Sequence, residues 1–453
     1  MENTREVYFG KEADIGGLPC PEPLSAWIDK IPQDVIAILN SLANAGHGAW
    51  IVGGCVRDAL LGVRIGDIDI CSTCPPDAVM SIFGTKAIPT GIEFGTVTIK
   101  GIDQHYELTT LRSEGIYRDG RRPEQVQWGV SLLEDLSRRD FTFNSMAVDV
   151  ARKRLYDPFD GIADLSENIV RAVGDPMKRC DEDGLRIFRA YRFLDRGTLG
   201  LWKLDNELHR AMQLRQPILA KVAIERKWTE FQKILTGHHA ASIIKLMTED
   251  GAVQYILPNA RFVNPIILSL LDQYADSSWT VKHRLAFLLI EFDSADLKSS
   301  LKALKIPKSL MLDTIKFHRF LGHVPEPRKS ALRVFRYCLK EDAEIHSKFQ
   351  ILFDDAAVSV HGLGPLAGDL DGLASKWIDL EPQQTQNTCL VDGHWIMKRT
   401  GVEQGERLGR LKEWLHRLQI EYDIKTVSEI ESRLSLIQWQ HSDHSQWPKL
   451  SFP

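Results

Sequence analysis

A chain of 453 residues, 43% of them apolar and 26% charged, is long enough to bury several cores and predicts two to four globular domains. Its formal net charge of -5 supplies no overall basic field, so a polyanionic partner has to be held by local patches of lysine and arginine. Seven scattered cysteines, an odd count, argue against a disulfide framework and for a reducing, cytoplasmic setting, and no apolar run reaches membrane-spanning length.

The opening stretch, MENTREVYFGKEADIGG, is polar and acidic, without the apolar core of a signal peptide and too poor in arginine for a transit peptide. Up to about residue 30 the chain carries Gly16, Gly17, Pro19, Pro21 and Pro23 and reads as an extended leader on the surface. PQDVIAILNSLANAG then puts Val35, Ile36, Ile38, Leu39 and Leu42 on one broad helical face and stops at Gly46. AWIV is a strand-type run, and Gly53-Gly54 followed by CVRDALL places a tight turn at the start of a helix. Free backbone N–H groups and the helix dipole attract an anion at such a turn, and Arg57 can add a charge-assisted bond to a phosphate. A strand–glycine–helix turn is common, however, and alone does not define a site.

GDIDI shifts the balance. On a strand, residues i and i+2 share a face, so Asp67 and Asp69 present two carboxylates to one space about 7 Å apart. Such a pair is relieved either by solvent at a strand end or by a divalent cation. GTVTIKG and HYELTTLR alternate in the strand manner around Gly101-Ile102-Asp103, and Glu107 on the second can complete a three-carboxylate cradle whose hard oxygens suit magnesium. Cys71 and Cys74 make one CxxC, but no second pair stands at zinc spacing, so both read as structural.

In SRRDFTFNSMAVD, Arg138, Arg139 and Asp140 precede a helix-like run containing Asn144. Read alone they are a surface ion pair; beside a metal site they read as phosphate and ribose ligands. From about residue 180 strand signals become scarce and amphipathic helices follow one another: DGLRIFRAYRFL, AIERKWTEFQKIL, HRLAFLLIEF and ALRVFRYCLK. In the first of these, Asp183, Arg186 and Arg189 recur at i, i+3 and i+6, with Arg192 one turn later. A polar stripe of this kind is usually solvated, yet Leu185, Ile187, Phe188, Tyr191 and Phe193 leave so little polar surface that some of the arginines should face a cleft and find partners there. Lys302, Lys305, Lys308, Lys316, Arg319, Arg328, Lys329, Arg333 and Arg336 form either a solvated face or a phosphate-tracking patch. A gap rich in glycine, aspartate and proline at about 362 to 384 marks a boundary before the basic helical segment GHWIMKRTGVEQGERLGRLKEWLHRLQ.

GGCVRDALLG with GDIDI, then RRDFTFNSMAVD, YDPFDGIADL and EDGLRIFRAYRF, in that order over roughly residues 35 to 230, resemble the successive motifs of the class II tRNA nucleotidyltransferases, the CCA-adding enzymes, and their bacterial poly(A) polymerase relatives. The resemblance implies an α+β fold in which a leader (1–30) precedes a polymerase-β-like nucleotidyltransferase head (31–150). An all-α neck with a base-reading helix (151–235), a body (236–365) and a tRNA-binding tail (366–453) follow. By motif position it makes Asp67 and Asp69 the metal-binding catalytic carboxylates, with Glu107 as a third. Gly53, Gly54, Arg57 and Asp58 become the triphosphate turn, Arg139, Asp140 and Asn144 the ribose and phosphate ligands, and Asp183, Arg186, Arg189 and Arg192 the base readers.

The resemblance further implies two Mg2+ ions, CTP and ATP as substrates, and the 3′ end and acceptor arm of tRNA as partner. RSEGIYRDGRRPEQ matches the family's flexible loop and is intact. Phe94 stands where relatives often carry histidine and Ser145 where alanine is usual; neither touches the inferred chemistry. TGIEFGTVTIK is nearer to the tRNA enzymes than to the dedicated poly(A) polymerases, and no His-Asp phosphohydrolase motif follows the neck. The expected activity is template-independent addition of CMP and AMP to tRNA. Enzymes restricted to A or to CC, and poly(A) polymerases, share these motifs, whereas a non-catalytic RNA-binding protein on the same fold is expected to have lost a metal carboxylate, and both are present. A carboxylate accepts from the exocyclic amine of cytosine or adenine while an arginine donates to the adjacent ring nitrogen, and uracil and guanine present the opposite pattern. Asp183 with Arg186 therefore selects C and A in place of a template.

Overall fold

Strand-forming residues concentrate in the first third of the chain. A computed structural model describes residues 6–114, 126–129, 131–257, 264–274, 278–356, 358 and 370–452. It divides into two units, Met1–Ile234 with Asp250–Tyr255, and Leu235–Glu249 with Ile256–Pro453.

The strands of the first unit are β1 (Leu18–Pro19), β2 (Ala49–Val52), β3 (Asp69–Ser72), β4 (Ala87–Gly91), β5 (Thr96–Lys100), β6 (His105–Thr110), β7 (Arg112–Glu114), β8 (Val126–Trp128), β9 (Ala147–Asp149) and β10 (Arg154–Tyr156), with a small parallel pair, β11 (Ile169–Val170) and β12 (Lys203–Leu204). One mixed sheet runs in the order β1-β10-β9-β2-β3-β6-β5-β4, antiparallel except where β3 lies beside β6, while β7 pairs only with β8. Trp50, Val52, Cys71, Ala147 and Tyr156 from four of its inner strands pack with Leu111, Leu132 and Leu136 as one core. Cys71 and Cys74 are both fully buried and unbridged, so the CxxC is core packing.

Its helices are α1 (Glu22–Ile28), α2 (Gln33–Asn44), α3 (Gly54–Leu60), α4 (Pro76–Phe83), α5 (Leu132–Ser137), α6 (Gly161–Glu167), α7 (Pro176–Glu182), α8 (Leu185–Phe193), α9 (Asn206–Arg215) and α10 (Ile224–Leu235). Helix α2 buries the five apolar residues predicted for it. Two sequence expectations change here. The leader is not simply extended: β1 joins the sheet edge, and α1 forms because Pro23 sits in the first helical turn, where a missing N–H costs nothing, while Leu24 and Ile28 bury one face. The helix-like run after Asp140 is a single 3-10 turn, Thr142–Asn144, followed by β9. Residues 141–150 are all buried, so no amphipathic face exists whose period could be read.

The second unit is helical: α11 (Ala240–Glu249), α12 (Pro265–Tyr274), α13 (Val281–Leu288), α14 (Ser294–Ala303), α15 (Lys308–Phe320), α16 (Lys329–Leu339), α17 (Ala343–Asp355), α18 (Leu370–Ile378), α19 (Gly393–Thr400), α20 (Glu406–Tyr422) and α21 (Val427–Leu436). Helix α18 falls inside the stretch read as a gap. Phe287, Phe317, Phe349 and Phe353 stack edge to face in one core, and Ile396, Leu411, Leu415 and Ile430 centre another. Among the described residues no helix is long and apolar enough to cross a membrane.

Candidate active site

Antiparallel pairing puts Val52, the last residue of β2, opposite Asp69, the first of β3, and β9 enters beside Val52 at Ala147. The Gly53-Gly54 turn, the aspartates and residues 138–144 therefore meet at one end of the sheet. Gly53 has φ +78°, which favours glycine, and a Cβ on it would stand 3.1 Å from the Arg139 guanidinium and crowd it. Its N–H donates to the Met146 carbonyl and fastens the turn to the strand end.

Asp69 opens β3, but Asp67 lies just ahead of the strand: its pairing partner turns away at Gly53, so no ladder remains for it. Glu107 is abreast of Asp69 in the parallel β3–β6 register. Burial pushes the Asp69 carboxyl above its ordinary range, Glu107 adds to this, and Asp67 contributes further against the opposing pull of Arg139.

A cleft of about 580 Å³ opens at this end of the sheet. Gly53, Gly54, Arg57, Asp67, Asp69, Arg139, Asp140, Asn144, Asp183, Arg186, Arg189 and Arg192 line it; Asp58 and Glu107 do not. Its walls also carry Arg138, which the sequence grouped with Arg139 and Asp140, and Phe193 and Lys233, to which sequence reasoning gave no role. Seven cations face four carboxylates on these walls, a net +3.

Nearly every arginine here is held by a carboxylate. Arg57 forks onto Asp58 at 2.8 and 2.9 Å and reaches the Asn144 side-chain carbonyl, so Asp58 acts from behind the wall. Asp135, a fully buried residue of α5, binds Arg138 and Arg139. Arg189 donates from Nε to Asp140 at 2.7 Å. Burial alone would raise the Asp140 carboxyl, but Arg189 and the Asn144 amide hold it at about 2. Arg192 pairs with Glu230 of α10, although burial still pulls its pKa down. The Arg57, Arg189 and Arg192 guanidiniums stand 5.3, 5.4 and 3.9 Å from the Phe193 ring centroid, so this aromatic spaces three cations. The alternation of arginine and aromatic in RAYRF was its signal in the sequence; nothing distinguished Lys233 from a surface lysine.

The expected stripe of Asp183 with three arginines is only partly helical. Asp183 is extended (φ -150°, ψ 104°) and links α7 to α8, while the arginines sit on α8. Asp183 Oδ1 accepts from the Leu185 N–H, and both its oxygens accept from Arg226 of α10 at 3.2 and 2.7 Å. Arg186 donates to Glu182, to the Arg179 carbonyl and to the Arg138 carbonyl, three of its five N–H groups. The Ser145 hydroxyl donates to the Leu136 carbonyl, a local anchor, and Phe94 is exposed and outside the cleft lining. Of the expected flexible loop, residues 115–125 lie outside the described residues.

Two families match the chain: the poly A polymerase head domain over residues 49–171, and a probable RNA and SrmB-binding site of polymerase A over residues 203–262. A CCA-adding enzyme of Streptococcus pyogenes is 32% identical over 398 residues, 84% of this chain and 90% of that protein. A CCA-adding enzyme from a Geobacillus species is 39% identical over 299 residues, 65% of this chain and 71% of that one. The crystal structure of Bacillus stearothermophilus CCA-adding enzyme in complex with CTP matches with a TM-score of 0.72 at 27% identity, over 92% of this chain and 98% of its own. On sequence and fold together, the chain belongs to the CCA-adding enzymes.

Proposed function

We propose that this chain extends the 3′ end of tRNA by adding CMP and AMP from CTP and ATP in the cleft of the first unit, with side chains in place of a template. The observation that carries this reading is the cleft's chemistry: two carboxylates at a strand end in a cleft whose whole lining sums to +3, the complement of a metal-bound triphosphate.

The residues fit Mg2+. Asp67 and Asp69 are hard oxygen donors in one cleft, and the burial and like charge that raise the Asp69 carboxyl are what a cation relieves. Among the described residues no three carboxylate, histidine or cysteine side chains stand close enough to hold an ion, so the three-carboxylate cradle expected of Asp67, Asp69 and Glu107 is not formed, and a magnesium ion on the two aspartates would complete its shell with substrate phosphates and water. Two such ions, when bound, stabilise both the attacking and the leaving oxygen of the displacement.

The chain's own residues do the rest. The Gly53-Gly54 turn offers backbone N–H groups, and Arg57 and Arg139, already fixed by Asp58 and Asp135, give the triphosphate donors that need no reordering. The tRNA 3′-hydroxyl oxygen attacks the α-phosphorus in line and gives its proton to solvent water, while the bond from the α-phosphorus to the bridging oxygen breaks and pyrophosphate leaves with the electron pair. Asp183 Oδ2 accepts one bond from Arg226 and so retains a lone pair for an exocyclic amine, while Arg186 retains Nε–H and one Nη2–H for a ring nitrogen. The second unit, with Lys302, Lys308 and Lys329 exposed, supplies basic surface for the remainder of the tRNA. Seven unbridged cysteines fit the reducing cytoplasm in which tRNA ends are maintained.

Incubating the protein with tRNA lacking CCA, tRNA ending in CC, and an unrelated RNA tests the reading. Addition of C, C and A to the first, A alone to the second and nothing to the third is expected. An adenylate tail on the unrelated RNA, or arrest after CC, replaces it with poly(A) or CC-only activity.

A further inference from the structure

The second unit encloses a concavity of about 1120 Å³, larger than the cleft, for which the function above has no use. Lys316 and Arg319 are three residues apart on one face of α15, Arg336 lies on α16 with Lys340 just past its end, and all four line the concavity. No carboxylate of a described residue lines it.

Elsewhere in the same unit cations find partners, Lys282 with Asp342 and Arg399 with Glu431. None of these four pairs with a described carboxylate. Arg336 donates to the Glu381 carbonyl at 2.8 Å, and burial together with neighbouring Arg333 pulls its pKa down against the opposing pull of Asp423. Lys316, Arg319 and Lys340 are exposed and Arg336 is half-buried, so four like charges face one concavity, and an anion seated there relieves their mutual repulsion. Lys340 holds φ +54° and ψ -124°, a conformation L residues rarely adopt. Gln383, on the same wall, has a buried amide nitrogen with no acceptor, and Tyr337 supplies an aromatic ring whose hydroxyl donates to the Asn387 carbonyl.

We propose that this concavity is a second nucleotide site, which binds a free nucleoside polyphosphate with its phosphates on Lys316, Arg319, Arg336 and Lys340 and its base against Tyr337 and Gln383. A concave wall on which four cations converge matches a compact phosphate chain, whereas tracking RNA calls for cations strung along an open groove. The volume is of the order of known small-molecule sites, roughly 300–1,000 Å³, and far exceeds what one phosphate fills. The proposal stands independently of the catalytic reading.

Equilibrium dialysis of the full chain against labelled ATP counts the sites. Two ATP per chain are expected. Lys316→Glu with Arg319→Glu should weaken one by at least about tenfold and spare the other, and Arg139→Glu should do the reverse. Lys316→Gln with Arg319→Gln, which adds no repulsion, should weaken the same site less, with circular dichroism confirming the fold. One ATP per chain, lost in Arg139→Glu and indifferent to both double variants, overturns the proposal. So does displacement of the second ATP by an unrelated RNA at equal phosphate concentration, which makes the concavity an RNA surface. Loss in the double variants with no response to Arg139→Glu upholds this site and counts instead against the assignment of the cleft.

Discussion

The two sides of the catalytic cleft are built on opposite principles. On the sheet side Asp67 and Asp69, abreast of Glu107, gather like charge with only Arg139 in opposition. On the helix side each arginine is matched: Arg189 with Asp140, Arg192 with Glu230, Arg186 with Glu182, and Arg138 with Asp135. One side is left electrostatically unfavourable until a ligand arrives; the other is rigid beforehand. Rigid donors serve recognition, which needs fixed geometry, and uncompensated carboxylates serve chemistry, which needs a metal to be wanted.

Breaking the sheet side should have the largest effect. Asp67→Ala or Asp69→Ala removes a hard ligand worth several kcal/mol of barrier and should abolish nucleotide addition while tRNA affinity and the fold persist. Single-turnover incorporation above a tenth of wild type in either variant removes that residue from the mechanism.

Breaking the helix side should cost stability. Asp140→Ala leaves the half-buried Arg189 with only Glu230, which Arg192 already holds, and should destabilise the protein by about 2 kcal/mol in urea denaturation. The sign with pH is fixed by its depressed pKa: against an ordinary 3.8, a value of about 2 contributes about 2 kcal/mol at neutral pH. That contribution is present above the unfolded pKa and disappears as pH falls through about 2. A wild type and variant that stay equally separated in stability at pH 7 and pH 2 contradict the pairing.

The contact between the reader and its support should matter less. Arg226 touches Asp183 from outside the cleft lining and acts as a positioning residue. Arg226→Gln should reduce discrimination against UTP by about 1 kcal/mol, roughly fivefold, with Arg226→Lys recovering part of it. Unchanged selectivity with a raised KM for every nucleotide indicates a merely structural role.

The smallest expected effect has the opposite sign. Because the folded Asp69 carboxyl is raised, ionising it destabilises the native state as pH rises through the window between 3.8 and its folded value. Asp69→Asn should therefore raise Tm slightly at pH 7 without magnesium, and leave it unchanged in acid, while activity is lost. A lowered Tm at pH 7 shows that the carboxylate is compensated after all.

What was legible in the sequence follows the same division. Val35 to Leu42, AWIV and the strands around Gly101 carried their periods openly, and the glycine pair announced a turn because Gly53 has to take φ +78°. Twelve of the expected site residues line one cleft because short motifs fix them locally. Asp67 and Asp183 were placed one element too far, since where a strand or helix begins is set by its partner's end and by Arg226, neither visible from spacing. Residues 141–150 misled because a run buried on every side has no period. Asp135, Glu230 and Lys233 were missed for a related reason: what makes them part of the site is proximity across the fold, and in sequence each looks like an ordinary charge on a helix.

The central claim, that protein side chains read the incoming base, is tested most directly by single-nucleotide incorporation into tRNA ending in CC with each of the four triphosphates. Wild type and Asp183→Ala should be compared at saturating tRNA and magnesium. Removing the carboxylate deletes both the acceptor that rewards an amine and the repulsion that penalises a carbonyl, so discrimination against UTP and GTP should fall by about 1–3 kcal/mol, roughly one to two decades in relative kcat/KM. An Asp183→Ala protein that retains the wild-type preference for ATP and CTP over UTP contradicts the account and moves base selection away from the α7–α8 junction.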